Sequence, residues 1–270
     1  MQKRFVLFVA ASVVFMATLL LIDRDGVAQQ LALGISTAVF LWAFARRSDV
    51  EPRQIITAII VATCGEVVLS LGWGLYSYKH FLIPLYVPPG HGLFYALAAD
   101  TANQPALQKR SVAITRFVMI FSTLYAVISL AFAHDAWGFL WWLGALAMIV
   151  RSRNQLMLSA CFIYTIILEW TGTAIGNWVW TADVPFVRLH SANPPAGVGI
   201  LYILLDLIVM AVCTYVLPVR SRGADVSSAQ SALSADLVRF ADMSGRDVRS
   251  PLLSQRPHVD LAADLVLDRD

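Results

Sequence analysis

Long apolar runs, separated by short charged or Gly/Pro-containing stretches, fill the first 217 residues of the chain. A run of about 18–20 apolar residues can cross the hydrocarbon of a bilayer as a helix. The pattern predicts about eight helices, near residues 5–22, 27–45, 55–78, 90–105, 112–133, 136–150, 155–180 and 198–217. The fourth and sixth are shorter than the roughly 17 residues that a straight span needs, so we expect them to be half-buried or extended by polar flanks.

The first apolar run raises the question of a signal peptide. It follows the basic start "MQKR", as the hydrophobic part of a cleaved signal would. The residues after it are "DRDG", however, and not the small residues that favour cleavage. We therefore interpret it as a retained first span.

The character of the chain changes from Val219 onward. Residues 219–270 are rich in Ser, Asp and Arg and contain no span-length apolar run, which is typical of a largely disordered tail. Within it, Leu233, Leu237 and Phe240 fall on one face of a short helix that would lie on a membrane or dock on a partner. The sequence thus predicts a transmembrane domain over 1–218 and a tail over 219–270.

Composition places the chain among membrane proteins. Hydrophobic residues make up 58% and charged residues 14%, whereas charged residues are near 25% in soluble domains. A net charge of +2 without a basic run argues against nucleic acid, which leaves membrane lipid as the main partner. We find no nucleotide, hydrolase or zinc-protease motif and no metal-ligand spacing, so no cofactor and no metal are expected.

The distribution of Lys and Arg predicts the orientation. One side of the membrane receives the basic residues at 3–4, 46–53, 109–110, 151–153 and 220–222, and the other side receives Arg24, Lys79 and Arg188. Basic residues are retained in the cytoplasm during insertion. Both termini are therefore expected in the cytoplasm, and the protein in the cell (inner) membrane.

Two stretches of the chain, 65–100 and 168–206, resemble each other. Each has a glutamate within a helix, a glycine about two turns later, two aromatic residues spaced by two, a Pro-Pro pair, spaced glycines, a tyrosine and an aspartate. The pairs are Glu66/Glu169, Gly74/Gly176, Tyr76/Trp178, Tyr78/Trp180, Pro88-Pro89/Pro194-Pro195, Gly90/Gly197, Tyr95/Tyr202 and Asp100/Asp206. Chance similarity of two Gly/Pro turns is the alternative to a true duplication.

A duplication would have a definite geometry. Four spans in each copy, about 1–107 and 108–218, give two parallel four-helix repeats in an all-α polytopic fold. Both glutamates would then lie near the middle of the membrane. The third, fourth, seventh and eighth helices would enclose a shared cavity open toward the outer side.

Carboxyl groups in hydrocarbon are costly, so Glu66, Glu169, Asp100 and Asp206 are the candidate catalytic residues. Burial disfavours the charged form of a carboxyl, and a neutral carboxylic acid can donate a proton. Aromatic faces stabilise cations, so acid groups with aromatic walls suit protonation of an alkene. The candidate substrate-binding residues are Trp73, Tyr76, His91, Tyr95, Trp170, Asn177, Trp178 and Tyr202.

These candidate residues also have structural explanations. Tyr78 and Trp180 lie near helix ends, where aromatic residues commonly anchor a protein at the membrane interface. The glutamates could simply join helices by hydrogen bonds, and Asp100 could be hydrated at the inner end of its helix. His91 has Val198 as its counterpart in the second copy, and a lone histidine is more often hydrogen-bonded than a metal ligand.

The segment Glu169-x-x-Gly172-x-x-x-Gly176, followed by aromatics and a loop with Pro185, resembles the polytopic carotenoid-biosynthesis membrane proteins of the hydratase family. More loosely, it is similar to membrane-embedded terpene cyclases. The resemblance covers about forty residues of each half, and the Pro-Pro pairs and Asn193 depart from both families. It implies Glu66 and Glu169 as acid/base residues and an isoprenoid substrate that enters from the lipid.

Three functions therefore remain open. The first is a membrane enzyme acting on an isoprenoid or other lipid, with Glu169 as the acid and Glu66 as its partner or base. The second is a proton-coupled carrier for a small molecule, and the third is a scaffold whose tail recruits a partner. A lipophilic small molecule is the expected ligand of the first two, and assembly into a homo-oligomer is left open.

Overall fold

The computed structural model of the chain describes residues 2–23 and 26–217, and in these ranges the protein is mostly helical. The expectation for residues 219–270 lies outside this part. The helices are α1 (Gln2–Ile22), α2 (Val27–Ala45), α3 (Pro52–Glu66), α4 (Val87–Ala102), α5 (Pro105–Gln108), α6 (Ser111–Ala133), α7 (Ala136–Arg151), α8 (Gln155–Ile175) and α9 (Gly199–Ala211). Wider π-helical turns extend α3 over Val67–Gly72 and α9 over Val212–Val216.

Six of the helical segments are long and apolar enough to cross a membrane, so this is an all-helical type of membrane protein in its main architecture. They are Phe5–Ile22, Ala28–Ala45, Pro52–Gly72, Ser111–Ala133, Gln155–Ile175 and Gly199–Val216. The two remaining long helices, α4 and α7, have 16 residues each. At 1.5 Å per residue they span about 24 Å, which is less than the hydrocarbon thickness of about 30 Å.

The short helix α4 lies at the centre of the molecule. It packs against α2, α3 and α8, and its residues Ala96 and Ala98 are fully buried. Small residues allow this close approach, since a methyl group on Gly92 would lie 2.8 Å from the side chain of Ile59. Burial by neighbouring helices explains why α4 does not need the length of a lipid-exposed span.

Two short β-strands interrupt the expected helical pattern. The sequence predicts helices over 55–78 and 155–180, but the helical segments end at Gly72 and Ile175, and residues 76–78 and 178–180 are extended. Gly74 and Gly176 have φ angles of 75° and 82°, a left-handed conformation that ends a helix and that glycine adopts without strain. The prediction of continuous helices in these two places was wrong.

The strands β1 (Tyr76–Tyr78) and β2 (Trp178–Trp180) pair with each other in antiparallel register. Tyr76 faces Trp180 and Tyr78 faces Trp178. In both strands the two aromatic residues are buried and the central residue is exposed. One face of the pair therefore presents four aromatic side chains to the helices below it.

The protein has two distinct ends, here called the strand end and the opposite end. The strand end contains β1, β2 and the loops 73–86 and 176–198. There, the side-chain amide of Asn177 donates to the carbonyl of Leu20, which fixes β2 to the end of α1. At the opposite end, Arg53 forms an ion pair with Glu51 and donates to the carbonyl of Leu217 at the end of α9.

Candidate active site

A cavity of about 450 Å³ lies beneath the two strands. Its walls come from α1, α3, α4, α8 and α9, and the four aromatic side chains of β1 and β2 line it from above. Both glutamates of the repeated pattern, Glu66 and Glu169, line this cavity. The remaining lining is largely aliphatic and aromatic, as is usual for a site that holds an apolar molecule.

Glu66 is the last residue of α3 before its π-helical extension and is 7% exposed. Its Oε2 accepts hydrogen bonds from the hydroxyls of Tyr76, at 2.7 Å, and Tyr78, at 2.8 Å. Burial raises the pKa of both phenols well above the ordinary value for tyrosine, and the nearby Glu66 carboxyl is the next largest cause of this increase. The two phenols therefore stay protonated and act as donors, which fixes the orientation of the Glu66 carboxyl.

His91 faces the other oxygen of Glu66. Its Nδ1 lies 3.0 Å from the carbonyl oxygen of Val87, and a carbonyl only accepts, so Nδ1 carries a hydrogen. Its Nε2 lies 3.5 Å from Oε1 of Glu66. A hydrogen on either of these two atoms would lie between them. The ring also stacks on Tyr202, with 5.3 Å between centroids.

Glu169 occupies the matching position on α8. It is 5% exposed, and its Oε2 accepts hydrogen bonds from the indole nitrogens of Trp178, at 2.8 Å, and Trp180, at 2.9 Å. Two N–H donors on one oxygen offset part of the cost of burying a negative charge. Within the described residues, no Lys or Arg lines the cavity.

The two glutamates are held in corresponding ways. Glu66 lies six residues before Gly72, and Glu169 lies six residues before Ile175. Each accepts on Oε2 from both aromatic residues of the strand that follows its own helix. The histidine is the main difference, since the counterpart of His91 on the other side is the fully buried Val198.

The aromatic residues that we interpreted as interface anchors have a different role. Tyr78 and Trp180 are 6% and 5% exposed, and each donates a hydrogen bond to a glutamate. Their spacing of two is that of a strand with one buried face, a signal that could have placed them beside Tyr76 and Trp178. Sequence reasoning also missed Tyr86 and Phe94, which line the cavity from the first turns of α4.

Three of the predicted binding residues lie elsewhere. Trp170 is 40% exposed and donates to the hydroxyl of Tyr125 on α6, because it follows Glu169 directly and so points to a different side of α8. Asn177 is buried against α1, as described above. The indole of Trp73 donates to the carbonyl of Pro185 at 3.1 Å, in the loops of the strand end.

Three further candidates lie toward the opposite end. Asp100 accepts a hydrogen bond from Ser48 at 2.9 Å and is partly buried. Asp206 is 2% exposed and interacts with the thiol of Cys161, while its Oδ2 has no partner among the described residues. Tyr95 lies within electrostatic range of Asp206. These three residues do not line the cavity.

Cys64 also differs from expectation. All three cysteines fall in apolar runs of the sequence, where a small side chain of this kind is usually a core residue, but only Cys161 and Cys213 are buried. Cys64 is exposed at the rim of the cavity. Over residues 2–23 and 26–217, no group of three or more His, Cys, Asp or Glu side chains has an arrangement that could hold a metal ion.

Comparison with known proteins finds no match. No family model, no curated protein and no solved structure is similar to this chain. The function is therefore inferred from the geometry of the cavity.

Gly172 gives a direct test of the hydrogen bonds to Glu169. A methyl group at this position would lie 2.0 Å from Cη2 of Trp178, so Trp178 must move and lose its bond to Glu169. We expect Gly172→Ala to lower the thermal midpoint, with a loss of about 1–3 kcal/mol, and to change tryptophan fluorescence. Gly72→Ala is the control, because its nearest atom would be 3.5 Å away. Equal behaviour of the two variants would contradict this packing.

Asp206 gives a test of a candidate that lies outside the cavity. Replacing it by leucine removes a buried oxygen without a partner, and such an oxygen costs about 1–3 kcal/mol. We expect Asp206→Leu to raise the thermal midpoint in detergent. Asp23→Leu is the matched control and should lower it, because Asp23 accepts a hydrogen bond from Tyr86 at 2.8 Å. A strongly destabilised Asp206→Leu protein would show that the aspartate has an essential partner.

Proposed function

We propose that this protein is an integral membrane enzyme that acts on an isoprenoid or similarly apolar lipid by acid–base catalysis. The observation that carries the proposal is the close pair of Glu66 and His91, with 3.5 Å between Oε1 and Nε2, which faces a largely apolar cavity with aromatic walls. General acids and bases must lie next to the reacting atoms and hold a transferable proton. A buried carboxyl–imidazole pair in contact with a lipid-sized cavity has both properties.

The chemistry would begin with transfer of this proton to a double bond of the substrate. The π electrons form the new C–H bond, and the neighbouring carbon becomes positively charged. Loss of another proton from the substrate to the Glu66–His91 pair then completes an isomerisation or cyclisation without net proton consumption. Addition of water, followed by loss of its proton to the pair, would give a hydration instead.

Glu169 and the aromatic rings would stabilise the positive charge. The geometry favours this division of roles over the reverse one, in which Glu169 is the acid, because the histidine lies beside Glu66. The ring of Tyr76 lies 4.6 Å from that of Trp180, and both line the cavity. Each aromatic face contributes about 0.5–2 kcal/mol to a nearby cation, more in a desolvated site.

The rim of the cavity supports a substrate that arrives from the lipid. Cys64 and Val68 on α3, and Ile208 on α9, line the cavity and are also exposed on the outer surface of the helices. These residues belong to segments long and apolar enough to cross a membrane. A lipid chain could therefore enter between α3 and α9 without passing through water.

We further propose the finer architecture that the sequence predicts, which is eight spans in two parallel repeats with both termini in the cytoplasm of the cell membrane. The antiparallel pairing of β1 and β2 supports the repeats, since a local twofold axis exchanges Tyr76 with Trp178 and Tyr78 with Trp180. The orientation is supported by the loops. Those of the opposite end contain Arg46, Arg47, Lys109, Arg110, Arg151 and Arg153, whereas the strand end contains Lys79 and Arg188.

The test is a comparison of lipid extracts from cells with and without this chain by mass spectrometry. We expect an isoprenoid whose mass is unchanged, for an isomerisation, or higher by one water, for a hydration, with an altered chromatographic mobility. The extract from cells that produce the Glu66→Gln variant should match the extract from cells without the chain. An unchanged lipid profile in a host that supplies isoprenoids would refute the proposal.

A proton-coupled carrier is the second candidate, and Asp206 favours it. This buried carboxyl lies one helical turn beyond Tyr202, on the side away from the strand end. A proton that leaves the cavity in this direction would need a second acceptor at this position. A carrier predicts pH-dependent uptake into vesicles and no chemical change in the ligand. Altered lipid without any uptake would reject the carrier.

A further inference from the structure

The charge balance of the cavity suggests a class of ligand. Its lining includes two carboxyl groups, Glu66 and Glu169, and one imidazole, His91, while Lys and Arg are absent from the described lining residues. A cavity with more acidic than basic groups, closed off from water by apolar residues, attracts positive charge. The balance is unfavourable for an anionic head group.

The hydrogen bonds show how the two carboxyls are held. Tyr76 and Tyr78 donate to Oε2 of Glu66, and Trp178 and Trp180 donate to Oε2 of Glu169. Four donors from the strands thus fix both carboxyls from the strand side. A ligand cation below the strands could approach the other oxygen of Glu169 without replacing any of these bonds, whereas Oε1 of Glu66 faces His91.

The rings provide the second half of such a site. Tyr76 and Trp180 lie at 4.6 Å with a tilt of 46°, and Tyr78 and Trp178 lie at 6.1 Å and 68°. Aromatic walls around carboxyl groups are the arrangement that recognises quaternary ammonium groups, which have no N–H to donate. The apolar rim at Cys64, Val68 and Ile208 would leave room for an attached alkyl chain among the lipids.

We infer that this cavity binds a single-chain lipophilic cation, with a quaternary ammonium head between Glu66, Glu169 and the strand aromatics and its chain directed through the rim. The inference deepens the proposed function and rests on it, because an ammonium head has the positive charge and about the size of the cation formed from a protonated alkene. A stable ligand of this class should bind more tightly than an uncharged one of the same shape.

The probes are dodecyltrimethylammonium and its uncharged carbon isostere, 2,2-dimethyltetradecane, with dodecyl sulfate as the anionic comparison. Binding to the full chain in lipid nanodiscs is followed by tryptophan fluorescence, at equal concentrations of probe in the lipid. We expect at least tenfold tighter binding of the ammonium than of the isostere, and no saturable binding of the sulfate. Equal affinity for ammonium and isostere, or no saturable binding of the ammonium, would overturn the inference.

Variants show whether the preference comes from the cavity. The double substitution Glu66→Gln and Glu169→Gln should reduce the preference for the cation to less than threefold. Glu51→Gln also removes one carboxylate, but at the opposite end of the protein, and should leave the preference unchanged. If the double variant binds the cation as the unmodified chain does, the site lies elsewhere and the inference is wrong.

The lipid comparison separates this inference from the proposed function. If the protein prefers the cation but changes no lipid, the enzymatic proposal is refuted and the binding site is supported. If the protein changes a lipid but does not distinguish the ammonium from the isostere, the enzymatic proposal is supported and the inferred cation site is refuted.

Discussion

Replacing Glu66 by glutamine is expected to reduce product formation by about 10²–10⁴-fold, which is the usual contribution of a general acid or base. The amide oxygen of glutamine can still accept from Tyr76 and Tyr78, and its amide nitrogen can donate to Nε2 of His91. The fold should therefore survive while the transferable proton is lost. Product is measured by mass spectrometry of lipids after purification of equal amounts of folded protein.

Two matched variants complete this experiment. Glu51→Gln changes a carboxylate at the opposite end and should keep full activity. Glu169→Gln retains an oxygen for the two indole donors but cannot ionise, so we expect a loss in the same range as for Glu66. Full turnover by both cavity variants would eliminate acid–base catalysis by these glutamates.

The repeated pattern in the sequence could predict much of this site. The glutamate, the glycine and the two aromatics recur in the same order, and the structure brings Glu66, Glu169, Tyr76 and Trp178 to one cavity. The strands themselves were missed, because three residues are fewer than the four to eight that alternation needs to identify a strand. Gly74 and Gly176 were the available signal, since glycine commonly ends a helix.

The misplaced candidates show what a linear pattern leaves out. Trp170 was chosen for its chemistry, although neighbouring residues of a helix point about 100° apart and Glu169 already faces the cavity. Asp206 does follow Tyr202 by about one turn, but Leu205 and Ile208 line the cavity from α9 and Asp206 does not, so it lies on a neighbouring face of the helix. Sequence periodicity groups residues by the face of a helix, whereas the face that lines a cavity depends on how neighbouring helices pack.

The second large effect is expected from Asp135, which precedes α7 and which sequence analysis did not single out. Its side chain is fully buried and accepts four hydrogen bonds, from the backbone of Gly138, Ala192 and Ala196 and from the hydroxyl of Ser129. It thus joins the turn between α6 and α7 to the loop that leads into α9. Its position directly before an apolar run is the usual one for a helix N-cap.

Asp135→Ala should destabilise the protein by about 3–5 kcal/mol, because four buried donors lose their acceptor at once. For a domain of this size the thermal midpoint would fall on the order of 10 °C. Unfolding can be followed with a thiol-reactive dye, since Cys161 and Cys213 are buried and become reactive on unfolding.

Asp183→Ala is the matched control for this measurement. Asp183 lies in the same loop region, but its side chain is 87% exposed, and its Oδ1 lies 3.6 Å from Nδ1 of His190. Its removal should change the free energy of unfolding by less than about 0.5 kcal/mol. Similar midpoints for the two alanine variants would mean that the loop between β2 and α9 is not held by Asp135. The floor and walls of the cavity, which α9 helps to form, would then need another anchor.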